Sequence, residues 1–330
     1  MNIHEYLKQA ANSQKKRGLP ILSFPAAQKL NVTVDSLVKS SELQSMAMET
    51  IAKGTDTLAA VSLMDLSVEA EAFGANIRFS ENEVPAVIGQ LVADEDAANS
   101  LEVPSLDKGR ASLCVEGIRS AKNKITDKPV LAGMIGPYSL AGRLMDVTEI
   151  MYLCYDEPET VHIVLEKATE YLISYAGAFK AAGADGVVIA EPLAGIMSPT
   201  MAAEFSVPYV KRIIDALKDD DFAVIYHNCG NAVGEMLDEI LSQNASAYHF
   251  GNAIDMETIL KRVPADIICM GNIDPVSQFV DGTPETMTAA IKELLEKCGG
   301  YSNFIPSSGC DIPASASWDN INAFFGALKD

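Results

Sequence analysis

Apolar positions recur at helical spacing through the first sixty residues, and after Thr57 the pattern changes to short apolar runs separated by longer amphipathic ones. In "DSLVKSSELQSMAMETIAKG" the apolar residues Leu37, Leu43, Met46 and Ile51 fall within a helical pattern, and Gly54 supplies a C-terminal stop. The later runs "TLAAVSLM", "PVLAGMIG", "DGVVIA", "FAVIYH", "ASAYHF", "DIICMG" and "YSNFIPS" are too apolar for half-exposed strands. Between them lie helical patterns such as "PETVHIVLEKATEYLISYAGAFKAAG" and "PETMTAAIKELLEKCG". Strands that alternate with helices pair in parallel and are buried on both faces.

Seven such runs are clear, and "EVPAVI" is a weaker eighth that also reads as loop. Eight strand–helix units over roughly 270 residues is the size of a (β/α)8 barrel of the TIM type, with a doubly wound open sheet as the alternative. No Gly-x-Gly-x-x-Gly follows any run, which removes the dinucleotide-binding form of that alternative. No linker or composition break interrupts the chain, so residues 1–330 are expected to form one barrel domain, with about 1–55 as a helical extension packed on it.

Charge and composition then exclude partners. Twenty-five Lys and Arg against 45 Asp and Glu give a net charge of −20, and the one basic run, Lys15 to Arg17, is too short to track a phosphate backbone. No stretch approaches the ~18 apolar residues of a membrane span, and the N-terminus lacks the apolar core of a secretion signal. A soluble cytoplasmic protein that binds neither nucleic acid nor membrane is expected. In that reducing setting the six singly spaced cysteines need not pair, and Cys114, Cys154, Cys269 and Cys298 read as packing residues.

In a parallel barrel, chemistry collects at the carboxyl ends of the strands. The residues there are Asp65, Tyr138, Glu191, His227, Cys229, His249, Asn272, Asp274 and Cys310. His227 and Cys229, two apart at the end of one strand, point the same way. Cys310 ends the last strand, only a few places around a closed barrel, and can complete a three-ligand set. One His and two Cys suit zinc, and three protein ligands leave a fourth position open, as catalytic sites do. Closely spaced Cys-x-x-Cys pairs, the mark of a structural zinc finger, are missing.

The motifs "HNCGN" at His227 to Asn231, "GNIDP" at Gly271 to Pro275 followed by "DGTPETM", and "SSGCDIP" at Ser307 to Pro313 resemble the uroporphyrinogen decarboxylase superfamily. Within it they resemble the cobamide-dependent methyltransferases that methylate coenzyme M, and "GPYSLAGRLMD" and "MDLSVEAEAFGA" extend the likeness over nearly the whole chain. The resemblance implies a (β/α)8 barrel with zinc on His227, Cys229 and Cys310. It also implies transfer of a methyl group from a methylated corrinoid, held on a separate corrinoid carrier protein, to a small thiol such as coenzyme M or homocysteine. The region "QKKRGLPILSFPAAQKLN" lacks the arginine pattern with which true decarboxylases of that name grip porphyrin carboxylates.

Glu191 is the expected carboxylate near the ion, as a fourth ligand, as a partner of His227, or merely as a rim residue in an ion pair. Asp65 and His249 are expected to orient substrate or carrier, although His249 also reads as a residue that satisfies backbone carbonyls. Tyr138, Asn272 and Asp274 are expected to meet the cofactor, and Asp274, followed by Pro275, also reads as a turn former. Two other classes stay in competition: a metal-free decarboxylase of a porphyrin-like acid, and a non-catalytic barrel that binds corrinoid or zinc.

Overall fold

A computed structural model of the chain describes residues 2–329. Its strands are β1 (Ala60–Val61), β2 (Asn76–Arg78), β3 (Ala86–Ile88), β4 (Val130–Ile135), β5 (Gly186–Ala190), β6 (Ala223–Asn228), β7 (Ala247–Phe250), β8 (Cys269–Ile273) and β9 (Phe304–Ser308). Each of the seven apolar runs supplies one strand of a seven-stranded sheet in the order β1-β4-β5-β6-β7-β8-β9, with every neighbouring pair parallel. Helices connect successive strands, as in a TIM-type barrel.

The place between β9 and β1 is filled by residues 18–22 of the N-terminal region. Leu19 N–H donates to the Pro306 carbonyl at 3.0 Å, Ile21 N–H donates to Ser308 Oγ at 3.0 Å, and Leu58 N–H donates to the Gly18 carbonyl at 2.9 Å. Pro20 has no N–H to give, and a serine side chain stands in for one ladder acceptor, so the segment acts as the eighth stave without a regular ladder. The run "EVPAVI" is not that stave. It supplies β3, which pairs antiparallel with β2 in a separate two-stranded sheet. Its β-like composition is satisfied locally, where Ile88 is 44% exposed, instead of in the buried wall.

Strand parity divides the core in two. Ala223 and Ile225 of β6, Ala247 of β7 and Ile305 of β9 belong to an inner cluster, whereas Val224 and Tyr226 pack in the larger cluster that includes the surrounding helices. The amphipathic helix Ile3–Asn12 buries Ile3, Leu7 and Ala11 in the inner cluster, and the Tyr6 hydroxyl donates to the Leu58 carbonyl at 2.7 Å, just before β1. The N-terminal region thus contributes a plug at the amino ends of the strands and one stave of the wall, besides helices such as Ser41–Gly54 on the outside. Continuing the inner parity past Ile225 brings His227 to the opposite, carboxyl end.

Candidate metal centre

β6 carries His227 on its inward parity, and its register places His227 beside Ala190 of β5 on one side and His249 of β7 on the other. The turn that follows holds Cys229 by backbone packing. Asn228 Oδ1 accepts from Gly230 N–H at 3.0 Å, and the backbones of Gly195 and Gly230 pass so closely that a Cβ on Gly230 would lie 2.2 Å from Gly195 Cα. A Cβ on Gly251 would lie 2.5 Å from Cys229 Cα. Three glycines on three loops therefore fix where this cysteine sits, which is the physical reason for glycine in "HNCGN".

Cys310 follows β9, and its Sγ lies 3.5 Å from His227 Nε2. The donor atoms of His227, Cys229 and Cys310 all lie within 4.8 Å of one another, the one group of three such ligands among the described residues. Tetrahedral zinc with bonds of about 2.0–2.1 Å to nitrogen and 2.3 Å to sulfur has a nitrogen–sulfur edge of about 3.6 Å, close to the 3.5 Å between His227 Nε2 and Cys310 Sγ, so one imidazole and two thiols grouped in this way suit that ion. The thiol of Cys310 hydrogen-bonds to Cys229, which holds Cys229 down to about 7 and, with burial, pushes Cys310 up to about 12. The pair thus offers a thiolate near neutral pH, the form that binds soft cations.

Behind His227 stands His249, with the two Nδ1 atoms 2.8 Å apart and the rings nearly perpendicular at 75°. His249 Nε2 lies 2.7 Å from Ser307 Oγ, and Ser307 Oγ donates to the Leu19 carbonyl at 2.7 Å. Burial first, and then His227, hold the His249 imidazole well below the usual histidine range, so it is neutral.

The other expected residues lie outside this cluster. Ala190 has inward parity, so Glu191, one residue on, turns outward and is fully buried. Its Oε1 accepts from Tyr138 N–H at 2.8 Å, and its Oε2 accepts from Ser139 N–H at 3.1 Å and Ser139 Oγ at 2.8 Å. It caps the first turn of helix Pro137–Met145, where a carboxylate satisfies orphan N–H groups. Gly136 is obligatory there, because a Cβ would lie 2.3 Å from the Glu191 carboxylate. Burial pushes Glu191 up to about 7 against those hydrogen bonds.

Asp65 is buried in an ion pair with Arg110, and it accepts from the backbone and hydroxyl of Ser67. Arg110 also reaches Glu71 at 2.6 Å. The Tyr138 ring is buried, with its hydroxyl 3.2 Å from Met151 Sδ and 3.6 Å from Cys154 Sγ. Asn272 donates to the Gly251 and Ile254 carbonyls, both at 2.9 Å, and Asp274 accepts from Val276 N–H, Ser277 N–H and the Asn252 amide. These contacts shape the loops beyond β7 and β8.

Ser307 and the Leu19 carbonyl complete the cluster's surroundings and were not among the expected site residues. Ser307 was legible in principle, since it lies two steps along β9 from the inward Ile305. A backbone carbonyl from the far end of the chain leaves no residue-type signal.

Comparison with known proteins adds to this geometry. The family model described as uroporphyrinogen decarboxylase (URO-D) matches residues 13–330. Methylcobamide:CoM methyltransferase MtbA of Methanosarcina mazei is 30% identical over 271 residues, covering 81% of this chain and 78% of that protein. Uroporphyrinogen decarboxylase of Xylella fastidiosa is 26% identical over 287 residues, covering 82% and 79%. Among solved structures, a methyltransferase from Methanosarcina mazei superposes with a TM-score of 0.87 over 99% of this chain and 98% of that one, at 23% identity, a likeness of fold.

Proposed function

The chain belongs to the uroporphyrinogen decarboxylase family and is a methyltransferase of that family, and from this premise we propose that it moves a methyl group from a methylated corrinoid to a small thiol at a zinc site made by His227, Cys229 and Cys310. The observation that carries the reading is the convergence of one imidazole and two thiols within 4.8 Å at the carboxyl ends of the strands. Zinc bound there would act as a Lewis acid toward the substrate thiol and favour its deprotonated form. In such a transfer the substrate sulfur would gain the bond to the methyl carbon, and the corrinoid, as the leaving group, would keep the electron pair of the bond it loses.

Magnitudes decide what else the barrel must contribute. Lowering a thiol pKa by ~2 units from about 8.5 raises its thiolate fraction at pH 7 about 25-fold. With a Brønsted slope of ~0.4–0.5, the weaker nucleophile gives back roughly 8-fold. Acidification alone is therefore worth a few-fold, and holding sulfur in line with the methyl group, where effective molarities reach ~10⁵ M, supplies more. The fixed ligand positions serve that purpose: Cys229 is held by three loop glycines, and Asn272 and Asp274 tie down neighbouring loops. A mouth walled by loops suits a corrinoid delivered on a carrier protein, and coenzyme M and homocysteine are the thiols to offer first.

The test combines zinc analysis with methylcobalamin and a thiol panel, following the appearance of cob(I)alamin. We expect close to one zinc per chain, turnover with at least one thiol, and loss of activity of at least a hundredfold in Cys310→Ala. Absence of stoichiometric zinc, or full activity of Cys310→Ala, overturns the reading. Chelator-insensitive turnover of uroporphyrinogen would instead identify a decarboxylase.

A further inference from the structure

We propose that His249 and Ser307 are positioning residues that set the tautomer of His227, and that the chain of protons they define is anchored by the Leu19 carbonyl of the N-terminal stave. The inference rests on the reading of His227 as a metal ligand, but its geometry stands without the metal.

One group in this chain of contacts has a fixed role, the Leu19 carbonyl. A backbone carbonyl only accepts, so at 2.7 Å from Leu19 O the single hydroxyl proton of Ser307 is donated there. Ser307 Oγ then has only lone pairs to offer its other neighbour, His249 Nε2 at 2.7 Å, which must carry the proton of that contact. A neutral imidazole with its proton on Nε2 presents a lone pair at Nδ1. The Nδ1 of His227, 2.8 Å away, therefore carries a proton and donates it to His249. That leaves the lone pair of His227 on Nε2, the atom 3.5 Å from Cys310 Sγ. Each contact is satisfied in only one direction, and that direction leaves a nitrogen lone pair on the side of Cys310 Sγ.

The His249 carbonyl, 3.3 Å from His227 Nδ1, is the competing acceptor and would favour the same tautomer. Two features give the imidazole the leading part. Its contact is shorter by half an ångström, at 2.8 Å against 3.3 Å. A backbone carbonyl is also present whatever residue stands at 249, and would need neither a second histidine nor Ser307. Partners of this kind orient a metal-bound histidine and raise its basicity, and their loss commonly costs about 10–100-fold in metal affinity. The N-terminal segment thereby takes a chemical part: residue 19 closes the barrel wall with its N–H and anchors the proton chain with its carbonyl.

The experiment has two arms. In the first, zinc affinity is measured by chelator competition for the wild type, His249→Phe, His249→Asn and Ser307→Ala, with folding checked by circular dichroism. We expect His249→Phe to bind zinc at least 10-fold more weakly and Ser307→Ala to be weakened in the same direction. We expect His249→Asn, whose amide oxygen lies near the place of Nδ1, to recover most of the loss. In the second, nitrogen NMR of histidine-labelled wild-type protein without metal reads the His227 tautomer directly, and we expect the proton on Nδ1. His249→Phe and Ser307→Ala binding zinc within 3-fold of the wild type, or a His227 proton on Nε2, overturns the inference. Should the wild type bind no zinc, the metal reading fails while the NMR arm still decides the proton chain.

Discussion

Glu69 shows how much one buried side chain can govern. It is 1% exposed, its Oε1 accepts from Ile135 N–H at 3.0 Å, and its Oε2 has no partner. Burial pushes its carboxyl up to about 7 from an ordinary value of 4.5. The folded state therefore holds this proton more tightly than the unfolded state, and stability falls as pH rises from about 4.5 through about 7. Glu69→Gln keeps the acceptor and removes the charge. It should match the wild type near pH 5 and exceed it by up to about 3 kcal/mol at pH 8, as urea titrations at the two pH values would read. An equal difference at both would show that the carboxyl titrates normally. Gly230 is constrained sterically instead: with a Cβ 2.2 Å from Gly195 Cα, Gly230→Ala must push two loops apart. Overpacking of this kind costs about 1–3 kcal/mol, and because Cys229 adjoins it, zinc affinity should fall along with the melting temperature.

At the scale of elements, helix Pro137–Met145 and helix Ile3–Asn12 depend on single residues. Glu191 accepts three hydrogen bonds at the start of the first, and Glu191→Ala would strand buried N–H groups of Tyr138 and Ser139 at a cost of about 2–4 kcal/mol. Zinc content measured on the same variant separates cap from ligand. Because both carboxylate oxygens are engaged at the helix, we expect the metal to be retained while the protein is destabilised. In the second helix Leu7 is fully buried inside the barrel, and Leu7→Ala should cost about 2–5 kcal/mol in chemical denaturation. A cost below about 1 kcal/mol would show that the plug is loosely seated.

Across the whole molecule, the candidate ligands come from two distant stretches of chain, β6 with its turn and the segment after β9. They are assembled only when the barrel closes. A metal that binds the folded state alone stabilises it by about 2.7 kcal/mol when its free concentration is a hundred times Kd. Chelator dialysis should therefore lower the melting temperature by a few degrees, zinc should restore it, and Cys310→Ala should respond to neither treatment. An unchanged wild-type melting curve would deny any coupling between this site and the fold.

The apolar runs by themselves determined the seven strands and their parallel order, because a strand buried on both faces must be continuously apolar wherever it sits. The spacing of His227 and Cys229 likewise determined a shared face, since strand parity is a local property. The eighth stave was not legible: "GLPIL" is held by one wall carbonyl, one serine hydroxyl and Leu58, two residues before β1, all distant in sequence. Local β preference pointed to "EVPAVI" instead. Glu191 reads as a rim carboxylate until the fold supplies a helix N-terminus on its outward side. Tertiary structure also decided the link from Leu19 through Ser307 and His249 to His227. Hydrogen-bond direction depends on which acceptor ends the chain, and here that acceptor is a backbone atom some 200 residues from the imidazole it orients.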